Sequence, residues 1–310
     1  MTIPANTRQQ AQDLLDFIDA SPSPWHAVAT CEQRLQAAGF ARLDETERWT
    51  LQAGDKRYVV RGDAAIIAFV VGSAALAESG LRIIGAHTDS PGLRIKPRPA
   101  EEVGGMVRLG VEVYGGPILA TFADRDLSLA GRVHVRTPDG FATRLVRFAD
   151  PLLRLPNLAI HMNREVNESG LKFNKQSELP LLLGVAEEGV KADARFRQPI
   201  AAALGVEPGD LLTWELNAYD TQKGSLWGAD REFIADSQLD NLASCHAALN
   251  ALLATDQPAA TCLCAFFDHE EVGSESAAGA GGSFIADVLA RLAGNAGLDG
   301  EDQRRMVARS

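Results

Sequence analysis

Two apolar segments of this 310-residue chain end abruptly in polar clusters whose residue types can bind cations and move protons. Residues 81–86 run into His87-Thr88-Asp89-Ser90-Pro91-Gly92, and residues 261–267 run into Asp268-His269-Glu270-Glu271. A histidine with a carboxylate two residues on suits a metal ligand whose second ring nitrogen is held by an acceptor. The same spacing of His87 and Asp89 occurs in plain turns, where Asp and Ser bond the local backbone, and locally the turn is the commoner explanation. Glu270 and Glu271 carry more information. Adjacent residues on an extended segment project to opposite sides, so one carboxylate can take a cation while the other accepts a proton. Burial at the end of an apolar run would raise their pKa values toward general-base use, although a solvated pair explains these two positions equally well. Asp240 opens an amphipathic segment. A first-turn Asp favoured by the helix dipole is its ordinary explanation, and a carboxylate shared between two cations, steadied by Asn241, is the chemical one.

The combination shifts the balance. His, Asp and Glu donors with an extra Glu fit hydrolysis assisted by zinc, manganese or cobalt, in which metal polarises a carbonyl and activates water. Cys262 and Cys264 fall on one face of an apolar strand and belong to the core rather than to a metal. No dinucleotide or P-loop signature is present, and the glycines at 279, 281 and 282 read as a turn into a last helix.

These clusters need elements to hold them. The first stretch is helical: Leu14, Leu15 and Ile18 share a face, and a second helix starts with Ser23 as N-cap and Pro24 at its first position, stopping at Gly39. Two strands, 57–61 and 64–71, meet at Gly62-Asp63, and 81–86 is a third. From about 96 to 232 helical periodicity fades, and Val133-His134-Val135-Arg136, Pro138-Asp139-Gly140 and the run to Phe148 form a hairpin in a mostly β insertion. The strand–helix pattern then resumes with a helix from Asp240, a buried strand over 261–267 and a helix through Phe284, Val288 and Leu292 closed by Gly294, leaving a polar, weakly structured tail. This alternation predicts an α/β fold, a mixed sheet flanked by helices, over 1–95 and 233–310, interrupted by the β-rich insert at 96–232. In such sheets ligands gather at the carboxyl ends of strands, where both clusters fall.

Composition narrows the function. The net charge of −11 and pI near 5.1 argue against nucleic acid and membrane surfaces as partners. Four cysteines without a CxxC pair, an N-terminus unlike a signal peptide and no long apolar run predict a cytoplasmic protein.

Several segments resemble the M18 metallopeptidases, the aspartyl aminopeptidase family. They are LLDFIDASPSPWHAVA (14–29), GAHTDSPGLRIKP (85–97), VYGGPILATFADRDLSLAGRV (113–133), 158–174 with its AIHMNR, YDTQ (219–222), EFIADSQLDNLAS (232–244) and FDHEEVGSESAAG (267–279), in family order along almost the whole chain. The resemblance implies a zinc-peptidase domain with a β-rich oligomerisation insert, two Zn2+ ions per site (Mn2+ or Co2+ as alternatives), homo-oligomers, and removal of N-terminal Asp or Glu from peptides. His87 would bind one metal with Asp89 behind it, Asp240 would bridge, Glu271 would bind the second metal, and Glu270 would be the general base. His161 would either reach a neighbouring subunit's site to stabilise the oxyanion or bind zinc. One departure is TFADRDL, where the family often has aromatic residues before DRD. A larger one is that the family continues beyond this point with an acidic ligand in a Ser-x-Asp-x-Ala-His segment and a final histidine ligand. No histidine follows His269, and Asp287, Asp299 and Asp302 have other surroundings. The expectation is a shortened member that alone binds metal weakly, turns over little and exposes apolar surface. Two other readings stand beside it: another co-catalytic zinc hydrolase, such as a carboxypeptidase or deacylase, and a non-catalytic oligomeric scaffold.

Overall fold

The computed structural model describes residues 3–310 and divides into two compact units, one running up to Ser90 and resuming over Gly224–Ser310, the other Pro91–Lys223. The first unit opens with α1 (Ala5–Asp19), α2 (Pro24–Ala37), β1 (Ala41–Arg42), β2 (Lys56–Arg61), β3 (Ala65–Val70), a short α3 (Leu76–Ser79) and β4 (Leu81–His87). The second holds β5 (Gly92–Val103), β6 (Met106–Tyr114), β7 (Leu127–Thr137), β8 (Gly140–Arg147), α4 (Val166–Ser169), β9 (Leu181–Val185), α5 (Ala192–Leu204) and β10 (Leu211–Asp220). The chain then returns to the first unit through β11 (Ser225–Trp227), β12 (Phe233–Ala235), α6 (Leu239–Leu253), β13 (Thr261–Phe267), α7 (Phe284–Asn295) and α8 (Gly300–Arg309). The unit boundaries, 90/91 and 223/224, lie five and nine residues before the expected 95/96 and 232/233. β5 starts directly after the HTDSP turn, and the aromatic hairpin β11–β12 has the texture of the insert although it belongs to the first unit.

The first unit is built on a five-stranded mixed sheet of order β1-β2-β3-β13-β4. β2 and β3 form a tight hairpin in which Arg61 pairs with Ala65 across a three-residue loop, and Gly62 and Asp63 in that loop both adopt positive φ (62° and 58°), which glycine and aspartate accept more readily than most residues. Every residue of β3 is buried, so it reads as a continuous apolar run rather than an alternation. Its alternate side chains serve two cores. Ile66, Ala68 and Val70 join Cys264 and Phe266 of β13 against α1, α2 and α6, whereas Ala65, Ile67 and Phe69 join Leu263 and Ala265 against Phe284, Val288 and Leu292 of α7. β13 pairs antiparallel with β3 and parallel with β4. β4 is an edge strand, and its middle residues carry exposed apolar side chains, Ile83 (40%) and Ile84 (48%).

α2 begins as the sequence predicts, with Ser23 Oγ accepting from the His26 N–H and Pro24 at the first position. Two expectations fail at the end of the chain. α7 runs one residue past Gly294, and the tail is not weakly structured, because Asp299 caps α8 by accepting from the Glu301 and Asp302 N–H groups while Met306 is buried. Charged residues surrounding a single buried side chain hid this helix.

α1 and α6 are joined by a polar clamp: Asp13 Oδ2 accepts from Arg34 Nη1 (2.9 Å) and faces His246 Nε2 (2.6 Å). Burial alone would raise the Asp13 carboxyl, but the bonds from Arg34 and His246 outweigh it and hold the pKa at about 2. Because the folded value lies below the ordinary carboxylate value, the clamp stabilises fully above about pH 4 and fades as pH falls toward 2. Denaturant titrations of wild type and Asp13→Asn are therefore expected to show a stability gap that is constant from pH 7 to 5 and closes below pH 4.

The second unit is a six-stranded antiparallel sheet of order β8-β7-β10-β5-β6-β9. The hairpin at Pro138-Asp139 joins β7 to β8 with Thr137 opposite Gly140. Its core is Leu109, Leu129, Val133 and Leu216, with Phe196 of α5 edge-on to Trp214 at 5.1 Å. α5 is a helix within a stretch expected to be mostly β. Pro199 interrupts its pattern, and its apolar face rests on Phe196, Ile200 and the small Ala201.

Candidate metal centre

The parallel pairing of β4 with β13 places His87 opposite Phe267, so the two polar clusters leave the sheet side by side. Thr88 locks the junction. Its N–H donates to the Phe267 carbonyl (2.7 Å) and its hydroxyl to the Ala64 carbonyl (2.7 Å), tying the end of β4 to β13 and to the residue before β3. Sequence reasoning assigned no role to Thr88, and only its place between His87 and Asp89 pointed to it.

His87 is buried and its two nitrogens face different partners. Nδ1 donates to the Asp89 carbonyl oxygen (3.0 Å) and lies 3.3 Å from Asp89 Oδ1, while Nε2 lies 3.2 Å from Asp240 Oδ1 and 3.8 Å from Glu270 Oε2. Asp89 is fully buried and accepts from two consecutive backbone groups, Glu270 N–H at Oδ1 and Glu271 N–H at Oδ2, each at 3.2 Å. It therefore does more than stand behind His87, since it also anchors both glutamates.

The glutamates do not sit on an extended segment. His269 takes a left-handed conformation (φ 64°), and residues 270–272 form a single 3-10 turn, so the backbone reverses where alternation was expected. Gly279 is needed here, because a Cβ at that position would lie 2.1 Å from the Ser274 carbonyl oxygen that closes the loop. Asp240 likewise departs from a first-turn residue. It and Asn241 have non-helical dihedrals at the start of α6, and the Asp240 carbonyl oxygen accepts from Ser90 Oγ (2.9 Å). The Asp240 carboxylate is thereby left 83% exposed and turned to His87.

One donor atom each from His87, Asp240 and Glu271 lie mutually within 4.8 Å, the only such grouping among the described residues. A neutral imidazole and two carboxylates form a donor set suited to zinc, manganese or cobalt, and three protein donors with an open position are what a catalytic zinc site uses. Burial raises the Glu271 carboxyl above its ordinary value, and repulsion from Glu270 adds to this. Glu270 is half-exposed (54%) rather than buried at a core rim. Burial by itself would lower the His87 pKa, but the Asp89 acceptors and the Glu270 charge outweigh it and raise it to about 9. A metal must displace that proton, so zinc affinity is expected to climb as pH rises from 6.5 and to level off above about 9, as competition titrations across that range would show.

Other candidates stay outside the cluster. His161 lies in the second unit on an exposed 3-10 turn, Ile160–Met162. Cys262 and Cys264 pack in the α6-side core as expected, and burial pushes the Cys264 thiol up to about 12, which keeps it from being a thiolate ligand. Cys245, unremarked in the sequence, donates its thiol to the His87 carbonyl oxygen (3.1 Å) from beneath the site.

A helix-flanked sheet with its polar residues gathered outside the carboxyl ends of neighbouring strands defines the class: an α/β protein with a strand-end ligand site. Within that class, the family model for the Aminopeptidase I zinc metalloprotease (M18) matches residues 17–310, and the chain belongs to this family. A probable M18 family aminopeptidase 2 of Ectopseudomonas mendocina is 46% identical over 303 residues, covering 96% of this chain and 69% of its own. Among solved structures, the chain in the cryo-EM structure of the Ape4 and Nbr1 complex superposes with a TM-score of 0.88 at 35% identity, over 97% of this chain and 62% of that one. The Saccharomyces cerevisiae mApe1 dodecamer gives 0.80 at 25% identity, over 94% and 67%. The chain thus spans about two thirds of the length of these relatives.

Proposed function

We propose that this chain carries the catalytic centre of a zinc aminopeptidase that hydrolyses the first peptide bond of peptides with an acidic N-terminal residue. The observation that carries the reading is the convergence of His87, Asp240 and Glu271 donors beside a third, half-exposed carboxylate, Glu270, that belongs to the same strand-end turn as Glu271. These three residues would hold zinc, which when bound polarises the scissile carbonyl and makes water acidic enough to be deprotonated near neutral pH. Were two ions held, Asp240 would be the shared carboxylate, and each ion would need further donors beyond this trio.

The chain's own groups divide the remaining work. Glu270 takes the proton of the attacking water and returns it to the leaving amine, a role its solvent access and its 3.8 Å distance from His87 Nε2 allow. Asp89 fixes the His87 ring through Nδ1, so that Nε2 faces the site, and holds the glutamate turn through two N–H groups. His161 is the candidate for stabilising the oxyanion in a neighbouring copy. Its exposed turn lies among exposed Leu158, Ile160 and Met162, which suits self-association, and a solved relative is a dodecamer. Preference for Asp or Glu rests on the family resemblance, and with a net charge of −11 it requires a local basic contact for the substrate side chain. A reducing, cytoplasmic setting fits the four free cysteines, and no helix of the described residues is long and apolar enough to cross a membrane.

The test is to incubate the zinc-loaded protein with matched peptides bearing Asp, Glu or Ala first, each with a free or an acetylated N-terminus. Release of Asp and Glu from the free peptides alone supports the reading. Cleavage of the acetylated peptides, or from the C-terminus, moves the protein to the carboxypeptidase or deacylase class. Zinc binding without any cleavage, even the low turnover expected of a shortened member, returns the scaffold reading.

A further inference from the structure

His269 is the residue of the strand-end turn to which nothing above gives a task. It precedes Glu270 and Glu271, yet it is no metal donor in this arrangement, because both ring nitrogens are engaged. Nδ1 lies 2.8 Å from Ser276 Oγ, and Nε2 lies 3.4 Å from Oδ2 of the buried Asp268. The Ser276 hydroxyl is within hydrogen-bond distance of Nδ1, and Nε2 faces the Asp268 carboxylate. The backbone at His269 is left-handed, a conformation that non-glycine residues seldom adopt and that surrounding contacts must hold. The His269 N–H donates to Asp268 Oδ1 (2.8 Å), and its carbonyl oxygen accepts from the Ser274 N–H (2.8 Å), so side chain and backbone are fastened at the same points.

The consequence lies one residue on. A left-handed residue followed by a helical turn aims successive N–H groups into one concavity that receives an anion. Here that anion is the Asp89 carboxylate, which takes the Glu270 and Glu271 N–H groups on its two oxygens and contacts His87 Nδ1. We propose that His269 is a positioning residue: its ring, clamped between Ser276 and Asp268, locks the left-handed turn that aims both glutamates and, through Asp89, the His87 ring. The inference rests on the proposed roles of Glu270 and Glu271 but has an observable of its own.

The experiment compares wild type, His269→Ala, Ser276→Ala and the double variant by two readouts. One is amide hydrogen exchange of a peptide covering residues 268–276 in metal-free protein, and the other is zinc affinity by chelator competition. Thermal unfolding of each variant shows which of them keep the fold. Both single variants are expected to speed exchange at the Glu270 and Glu271 amides and to weaken zinc binding about 10- to 100-fold. The double variant is expected to be no worse than His269→Ala, because the two substitutions remove one contact. Wild-type exchange and affinity in the single variants overturn the proposal, as do losses that add in the double variant. If wild type itself binds no zinc, the metal reading fails, while the exchange measurement still decides whether the clamp holds the turn.

Discussion

Glu270→Gln is expected to lower release of the N-terminal residue by about 100- to 10,000-fold, the contribution of a positioned general base, while zinc affinity stays close to wild type. The amide keeps the size and the backbone bond to Asp89 Oδ1 but cannot accept a proton from water. Glu271→Gln provides the contrast. Glu271 offers one of the three converging donors, so its loss is expected to fall first on zinc binding and only through that on rate. Measuring rate and zinc affinity in both variants separates a base from a ligand at adjacent positions.

Asp89→Ala is expected to do the widest damage. It removes a fully buried carboxylate that accepts from two backbone N–H groups and contacts the His87 ring. Breaking a buried pair of this kind by deleting one partner costs about 3–5 kcal/mol, and the N–H groups it leaves behind lose their acceptor. Zinc affinity is expected to fall by about 10- to 100-fold as well, because the His87 ring loses its orienting carboxylate. Asp89→Asn keeps the shape and one acceptor oxygen, so it should fall between wild type and alanine in denaturant midpoint and in zinc competition. Equal stability of wild type and Asp89→Ala would show that the carboxylate is not the anchor described here.

The parts of this centre that were legible in the sequence are those governed by local chemistry. Ser23-Pro24 marks a helix start, Gly62-Asp63 marks a hairpin, and apolar runs that stop at HTDSP and DHEE mark strand ends, because caps, turns and strand ends each demand particular residues. The parts that were not legible depend on partners far along the chain. Nothing within residues 81–92 shows that β4 lies parallel to β13, and without that pairing the His87 and Glu271 donors do not converge. The left-handed His269 replaced the expected alternation of Glu270 and Glu271 with a 3-10 turn, and among its contacts is Ser276 on the far side of the loop. Asp240, taken by itself, read more readily as a first-turn residue than as a shared metal carboxylate. Its non-helical backbone is held by Ser90, from the other polar cluster. α8 escaped because a cap at Asp299 and one buried Met306 give almost no apolar period.

Zinc titration against a chromogenic chelator, run on wild type and on His87→Ala, Asp240→Ala, Glu271→Ala and Glu270→Ala, tests the account most directly. The geometry predicts saturable binding to wild type, a loss of more than about 100-fold in each of the first three variants, beyond what an outer partner contributes, and near-native binding in the fourth. Absence of saturable binding to wild type, or a loss with Glu270→Ala as large as with Glu271→Ala, would contradict the assignment of His87, Asp240 and Glu271 as the metal donors and Glu270 as the free base.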